Sequence, residues 1–185
     1  MQSRDARRSF EFTPRGLALA AACCAGWLAT SDARASARQL HGGPVAGFAG
    51  LIGSDIALGG SVGGQVHYGI TDAFRFGASL DVPIGARLTS GQIASWPGIS
   101  VGIAYSLDVG TVVPWLALEA RAHAVFATAA APTWLVGGGA RLGVDWLPQR
   151  YFGLTFQGTY SACFLDGGLA HMFGVSVGPR WTLDL

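Results

Sequence analysis

The chain has 185 residues, half of them hydrophobic and only 12% charged, with a formal charge of +1 and 28 glycines. A disordered chain is poorer in apolar residues and richer in charge. A soluble surface wants roughly 25–35% charged residues, so the composition excludes disorder and argues against an ordinary cytosolic domain. A charge so near zero gives no basic field for nucleic acid.

The chain opens on a basic stretch with Arg4, Arg7, Arg8 and Arg15, continues through the uncharged run Gly16 to Thr30, and reaches Ala33-Arg34-Ala35, an A-x-A cleavage signal. That order predicts a secretory signal peptide over residues 1–35. The uncharged run is shorter than the ~20 residues that a membrane-spanning helix needs. Arg7-Arg8-Ser9-Phe10 is similar to the opening of a twin-arginine export signal, although paired arginines are common in any basic signal start. Cys23 and Cys24 read as small apolar residues within the signal. Cleavage leaves Cys163 alone, so no intrachain disulfide is expected. No CxxC or HExxH metal spacing occurs, and neither cofactor nor metal is expected.

From residue 46 onward the chain alternates. Ala46 to Gly53 is the weakest candidate strand, because Gly47-Phe48-Ala49-Gly50-Leu51-Ile52 is apolar on both faces. Leu58, Val62, Val66, Tyr68 and Ile70 then alternate with Ser61, Gln65 and His67. Phe74, Phe76, Ala78, Leu80 and Val82 alternate with Arg75, Gly77, Ser79 and Asp81. The same pattern runs through Ile99–Leu107, Pro114–Phe126, Trp134–Trp146 and Phe152–Phe164. It ends with Phe173, Val175, Val177, Pro179, Trp181, Leu183 and Leu185 against Gly174, Ser176, Gly178, Arg180, Thr182 and Asp184. Period two means a strand with two unlike faces. Most of these segments exceed the five or six residues usual in globular proteins and reach the ~9–11 that cross a bilayer when tilted.

Thr71-Asp72-Ala73, Val109-Gly110 and Pro148-Gln149-Arg150 read as tight turns, while Gly85 to Ser95, Ala127 to Thr133 and Leu165 to Leu169 read as longer links on the other side. Short turns on one side and longer loops on the other suit an outer-membrane barrel. The expected fold is therefore all-β: an eight-stranded antiparallel up-and-down transmembrane β-barrel. A sheet with one apolar face also closes as a lipocalin-like soluble barrel, apolar face inward around a ligand. The polar face is mostly Gly, Ser and Thr and would solvate a soluble barrel poorly, which favours the membrane form. Aromatic positions agree: Tyr68, Phe74, Tyr105, Trp146, Phe152 and Trp181 fall near one set of strand ends, and Phe126, Trp134, Phe164 and Phe173 near the other. Two such belts around an aliphatic band match headgroup-level aromatics.

The hairpin His67-Tyr68-Gly69-Ile70-Thr71-Asp72-Ala73-Phe74-Arg75-Phe76-Gly77 resembles the periplasmic hairpins of small Gram-negative outer-membrane β-barrel proteins. The resemblance extends as a pattern from about Gly47 to Leu185. It implies an outer-membrane location, a short periplasmic segment over 36–45, a barrel over 46–185, lipid as surroundings, and insertion by the barrel-assembly machinery. Members usually end in an aromatic residue, whereas this chain ends in Leu185 with Trp181 nearby. A monomer without nucleic-acid partners is expected, with a structural or surface-contact role through Gly85–Ser95 or limited passage of small solutes. The alternative is a soluble periplasmic carrier of an apolar ligand.

An eight-stranded barrel has an interior just wide enough for side chains to fill. Arg75, Asp81, Glu119, Arg121, His123, Arg141, Asp145, Arg180 and Asp184 are expected there as a luminal polar network. Counting back from the 127–133 link places Glu119 roughly opposite Ala140 and within reach of Arg141, predicting an ion pair near mid-barrel. Such a network either plugs the lumen or lines a selective ion path. Glu119 and His123 share a face and could do acid–base chemistry, as in a lipid A-modifying barrel enzyme. No nucleophile is placed beside them, and Cys163 reads as an inert small residue.

Overall fold

Alternation of this length leaves each segment one stable option, a strand with one face to a core and one to lipid or water. A computed structural model describes residues 38–185 apart from 54, 108, 128–130 and 166–167. The expected signal peptide, residues 1–35, lies outside the described residues. Nine strands follow in order: β1 (Gln39–Ile52), β2 (Ile56–Gly69), β3 (Phe74–Arg87), β4 (Ile93–Ser95), β5 (Gly98–Ser106), β6 (Val112–Ala127), β7 (Thr133–Trp146), β8 (Phe152–Leu165) and β9 (Gly168–Asp184). Every pairing is antiparallel: β1 with β2, β2 with β3, β3 with both β4 and β5, these two with β6, and β6 to β9 in order; β1 also pairs with β9, which closes the sheet.

The nine strands make eight staves. Both β4 and β5 lie between β3 and β6, and they share one register: Ile84 faces Ser95 and Leu80 faces Ile99, both at the same offset. The break falls at Trp96-Pro97. Pro97 has no N–H to give the ladder, while Trp96 N donates to the Pro83 carbonyl at 3.2 Å. The stave resumes in phase, so inward positions stay inward on either side of the break.

Three expectations about boundaries change. β1 begins at Gln39, so residues 39–45 belong to the barrel wall and not to a periplasmic segment; Gly42-Gly43-Pro44 masks the alternation in which His41 points inward and Leu40 outward. The long link expected over Gly85–Ser95 is mostly ladder, with β3 and β4 pairing from Ala86 opposite Ile93. Its turn is closed by Arg87 N donating to the Gln92 carbonyl (2.9 Å) and by Gly91 at φ 68°, where a side chain would be strained. The Leu165–Leu169 link shrinks likewise, since β8 and β9 pair out to Leu165 opposite Gly168.

Both ends of the sheet's closing pair, Gln39 and Asp184, meet at one rim, called here the terminal rim. The tight turns after β2, β5 and β7 lie at that rim too. In the first, the Thr71 hydroxyl accepts from Phe74 N (3.0 Å) and Ala73 N (3.3 Å), an ST-turn that fixes the hairpin. The opposite rim is the loop rim.

Orientation is unambiguous. Val62, Leu80, Ile99, Leu118, Leu142, Val175 and Leu183 are exposed on the exterior, and Arg75, Ser100, Glu119, Arg141, Asp145 and Thr182 are buried in the interior. A lipocalin-like barrel has the reverse arrangement and is excluded. All ten belt aromatics face outward, with Phe74 against Tyr105 (centroids 5.3 Å) and Phe152 against Trp181 (6.4 Å) near the terminal rim. The band between the belts is not purely aliphatic, because Phe48, Phe76, Phe156 and Tyr160 are exposed on the same face. Hydrocarbon accepts an aromatic ring at any depth, so belts enrich aromatics without excluding them elsewhere.

Candidate functional site

The interior is stratified. Nearest the terminal rim, Arg75 on β3 and Arg180 on β9 converge on Asp145 of β7. Arg75 Nη1 donates to Asp145 Oδ2 at 3.2 Å, and Arg180 Nη1 bonds the same oxygen. His41 Nδ1 lies 3.0 Å from Thr182 Oγ1 across the β1–β9 seam, and the His67 and Trp115 rings sit 5.9 Å apart above. Glycines make this room: a Cβ on Gly143 would overlap the Trp115 ring.

At mid-barrel Glu119 is the hub. Its Oε2 accepts from Arg121 Nε at 2.9 Å, and Arg141 Nε lies 3.1 Å from its Oε1. Arg141 goes on to Gln65 Oε1 (3.0 Å) and Ser79 Oγ (2.7 Å), and the Ser79 and Ser100 hydroxyls bond at 2.8 Å. His123 Nδ1 donates to the Trp96 carbonyl at 3.2 Å. Charges taken out of water need this density of partners, since an unpaired one costs several kcal/mol. Cavities of about 50 and 10 Å³ are left in these two layers.

Toward the loop rim the chemistry inverts. Ala49, Ala57, Ala94, Trp96, Leu135, Cys163, Ala170 and Met172 form one buried apolar cluster, with Trp96 and Leu135 each 1% exposed. The interior is thus polar in two layers and apolar in a third, where the sequence pattern predicts polarity throughout. Above the cluster opens a cavity of about 170 Å³, floored by Leu51, Ala57, Val125, Leu135 and Ala170, with Asp55, Arg87 and Thr133 at its edge.

Asp55 also ties two rim turns together. Its Oδ1 accepts from Thr89 Oγ1 and from Ile56 N, each at 2.7 Å. The Thr89 hydrogen bond, first among the causes, holds the Asp55 carboxyl below its ordinary value. A carboxylate depressed on folding favours the closed rim above its unfolded titration range and loses that contribution as pH falls through the folded one. Protection of the amides in 87–92, taken relative to the intrinsic exchange rate at each pH, is therefore expected to be lost as Asp55 becomes protonated in acid, and Asp55→Asn to show the low protection already at neutral pH. Identical exchange in both proteins at neutral pH would contradict the clamp.

Of the nine residues expected inside, Arg75, Glu119, Arg121, His123, Arg141, Asp145 and Arg180 are buried there, and Asp81 is half-buried beside the mid-barrel cavity. Asp184 is not luminal. Its side chain is 41% exposed at the terminal rim, where it takes hydrogen bonds from Gln39 (2.8 Å), Arg150 (2.9 Å) and Tyr151 (3.3 Å). It keeps inward parity, but β9 outlasts the wall that would enclose it. Glu119 stands opposite Gly139, one residue from the expected Ala140, and still reaches Arg141. Sequence reasoning missed His41, whose partner is on the last strand, and Trp96 and Leu135, which occupy the polar parity of their staves. Glu119 is held by two guanidiniums and His123 Nδ1 by a carbonyl, while His123 Nε2 is buried with no hydrogen-bond partner among the described residues.

An apolar exterior, ringed by aromatics and closed around buried charge, defines a transmembrane β-barrel of the kind found in Gram-negative outer membranes. Solved structures agree on the fold. Neisserial surface protein A (NspA) superposes with a TM-score of 0.63 at 18% identity, covering 80% of this chain and 97% of that one. Outer membrane protein OprG from Pseudomonas aeruginosa gives 0.57 at 9% identity, covering 81% and 98%. No family model matches the sequence, and no curated protein matches it significantly.

Proposed function

We propose that this protein is a monomeric outer-membrane barrel, inserted by the barrel-assembly machinery, that conducts nothing at rest and acts at its outer mouth. The carrying observation is the vertical order of the interior: among the described residues, two charged layers with cavities of about 50 and 10 Å³ lie beneath an open mouth cavity of about 170 Å³ with an apolar floor. A barrel of this size has no room for a water column beside such side chains. The mouth instead offers a small apolar group a dry floor and a polar edge, the usual make-up of a ligand pocket. The surface role fits the name of Neisserial surface protein A, a structural neighbour.

The test combines two measurements on refolded barrel. Planar bilayers are expected to show no steady conductance. An environment-sensitive apolar dye is expected to bind saturably, and Thr133→Trp, which sets an indole across the mouth, to weaken that binding at least tenfold with heat-modifiable gel migration intact. Steady conductance, passage of small sugars in a liposome-swelling assay, or dye binding that ignores Thr133→Trp would each overturn the reading.

A further inference from the structure

We infer that the outer wall of the barrel holds one phosphate-bearing membrane lipid, its phosphate on His171 beside Tyr160 and an acyl chain in a furrow over Gly158. Strand parity carries the argument first. In the described strands, arginines, acidic residues and histidines take inward positions from His41 to Asp184, with one exception. His171 lies between Ala170 and Met172, both buried inside, and so points outward into the lipid-facing wall. An ionisable side chain facing a membrane is costly and calls for a polar partner. Tyr160 is one such partner: its hydroxyl lies 2.8 Å from His171 Nδ1, and the two rings stack at 6.0 Å. With that hydroxyl donating to Nδ1, Nε2 carries the ring hydrogen and is free to donate. With the imidazole charged, both ring nitrogens donate. In either state the pair presents an N–H that needs an acceptor.

Position names the acceptor. The outward pair Phe164 and Leu169 stands between His171 and the β8–β9 turn, which directs the imidazole to lipid and away from the turn. Phe164 and Phe173 belong to the loop-rim belt, so His171 sits at headgroup level. A phosphate there takes charge-assisted bonds, stronger than those to an ester or a sugar hydroxyl. The wall below makes the occupant a lipid and not free phosphate. Toward mid-membrane a shallow apolar furrow of about 640 Å³ runs over Phe48, Leu142, Phe156, Gly158 and Val175. Gly158 forms its floor, with only the Gly174 carbonyl, 3.9 Å away, near a would-be Cβ. Val175 follows His171 by four residues on β9, ~13 Å at ~3.3 Å per residue. One leaflet offers ~15 Å of hydrocarbon, so a single lipid spans from imidazole to furrow.

The experiment uses the full barrel refolded in a nonionic detergent, with bound lipid counted by native mass spectrometry. The probes are dioleoylphosphatidylglycerol and a phosphate-free galactolipid with the same chains. One phosphatidylglycerol per barrel is expected to bind at least tenfold more tightly than the galactolipid, and inorganic phosphate is expected not to displace it. His171→Phe, which suits a lipid-facing wall, is expected to remove that preference and leave galactolipid binding unchanged. Gly158→Leu fills the furrow in open space and is expected to weaken both lipids. Tyr160→Phe, expected to weaken phosphatidylglycerol at least threefold, decides where His171→Phe does not fold. Equal binding of the two lipids, or a preference unmoved by His171→Phe and Tyr160→Phe, would overturn the site. So would a two-barrel mass formed without lipid, which would give the furrow to a second copy.

Discussion

Glu119→Ala is expected to lower the unfolding free energy of the barrel by about 3–5 kcal/mol, the cost of removing one partner from a buried charge network. Among the described residues, Glu119 is the single carboxylate touched by both Arg121 and Arg141. Its loss leaves Asp81 to face two buried guanidiniums. Arg141 keeps its bonds to Gln65 and Ser79, so the damage centres on charge more than on hydrogen-bond count. Glu119→Gln separates the two effects: it preserves volume and polar contact and is expected to recover less than half of the loss. Pairing Glu119→Met with Arg141→Met is expected to cost less than the two single changes added together, because contacting residues couple. Urea unfolding in lipid vesicles, followed by tryptophan emission, measures all of these. A loss under about 0.5 kcal/mol, the range of an ordinary surface change, would show the hub to be dispensable.

This hub was legible in the sequence for a simple reason. Glu119 and Arg141 lie on strands joined by one link, so parity and counting alone put them on one face near one height. His41 and Thr182 meet across the β1–β9 seam, where no loop exists to count from, and their pairing became visible only once the sheet closed. The fold followed from the contrast between faces, strongest in Phe173–Leu185, where alternation runs without error. Contrast fails where the inward face is itself apolar. Ala49 and Leu51 on β1, Ala57 on β2 and Leu135 on β7 all contribute to the apolar third of the interior. The double-sided greasiness of residues 47–52 is therefore the signature of that layer and not a defect of the strand. Trp96 hid behind Pro97, which makes a stave read as a loop.

The β1–β9 seam supplies the second large expected effect: Pro44→Val and Pro179→Val should each stabilise the closed barrel by about 1–2 kcal/mol. The two prolines stand directly opposite one another, and the ladder that pairs Gly42 with Trp181 and Ala46 with Val177 is interrupted between them. The phase of the hydrogen bonds shows why. Leu185 N donates to the Arg38 carbonyl, so even-numbered β1 residues bond toward β9, and Thr182 N donates to Tyr151, so odd-numbered β9 residues bond toward β1. At 44 and 179 both donors that should cross the seam are missing, and two carbonyls in the bilayer-spanning wall lose their N–H partners, an expensive condition in hydrocarbon. A restored bond is worth ~0.5–1.5 kcal/mol net, and relief of a buried carbonyl ~1–3 kcal/mol. Against this, losing proline frees the unfolded chain by ~0.4–1 kcal/mol, which is the smaller effect. Valine also suits an outward, lipid-facing strand position. Proline has a use here that the closed state does not reveal. Until the barrel shuts, β1 and β9 are edge strands, and proline on an edge blocks pairing with a foreign strand. The doubly substituted protein is accordingly expected to unfold at higher urea, to protect the amides of 43–46 from exchange, and to aggregate more during refolding. Unchanged stability with unchanged amide exchange would mean that water or a lipid headgroup already serves those carbonyls.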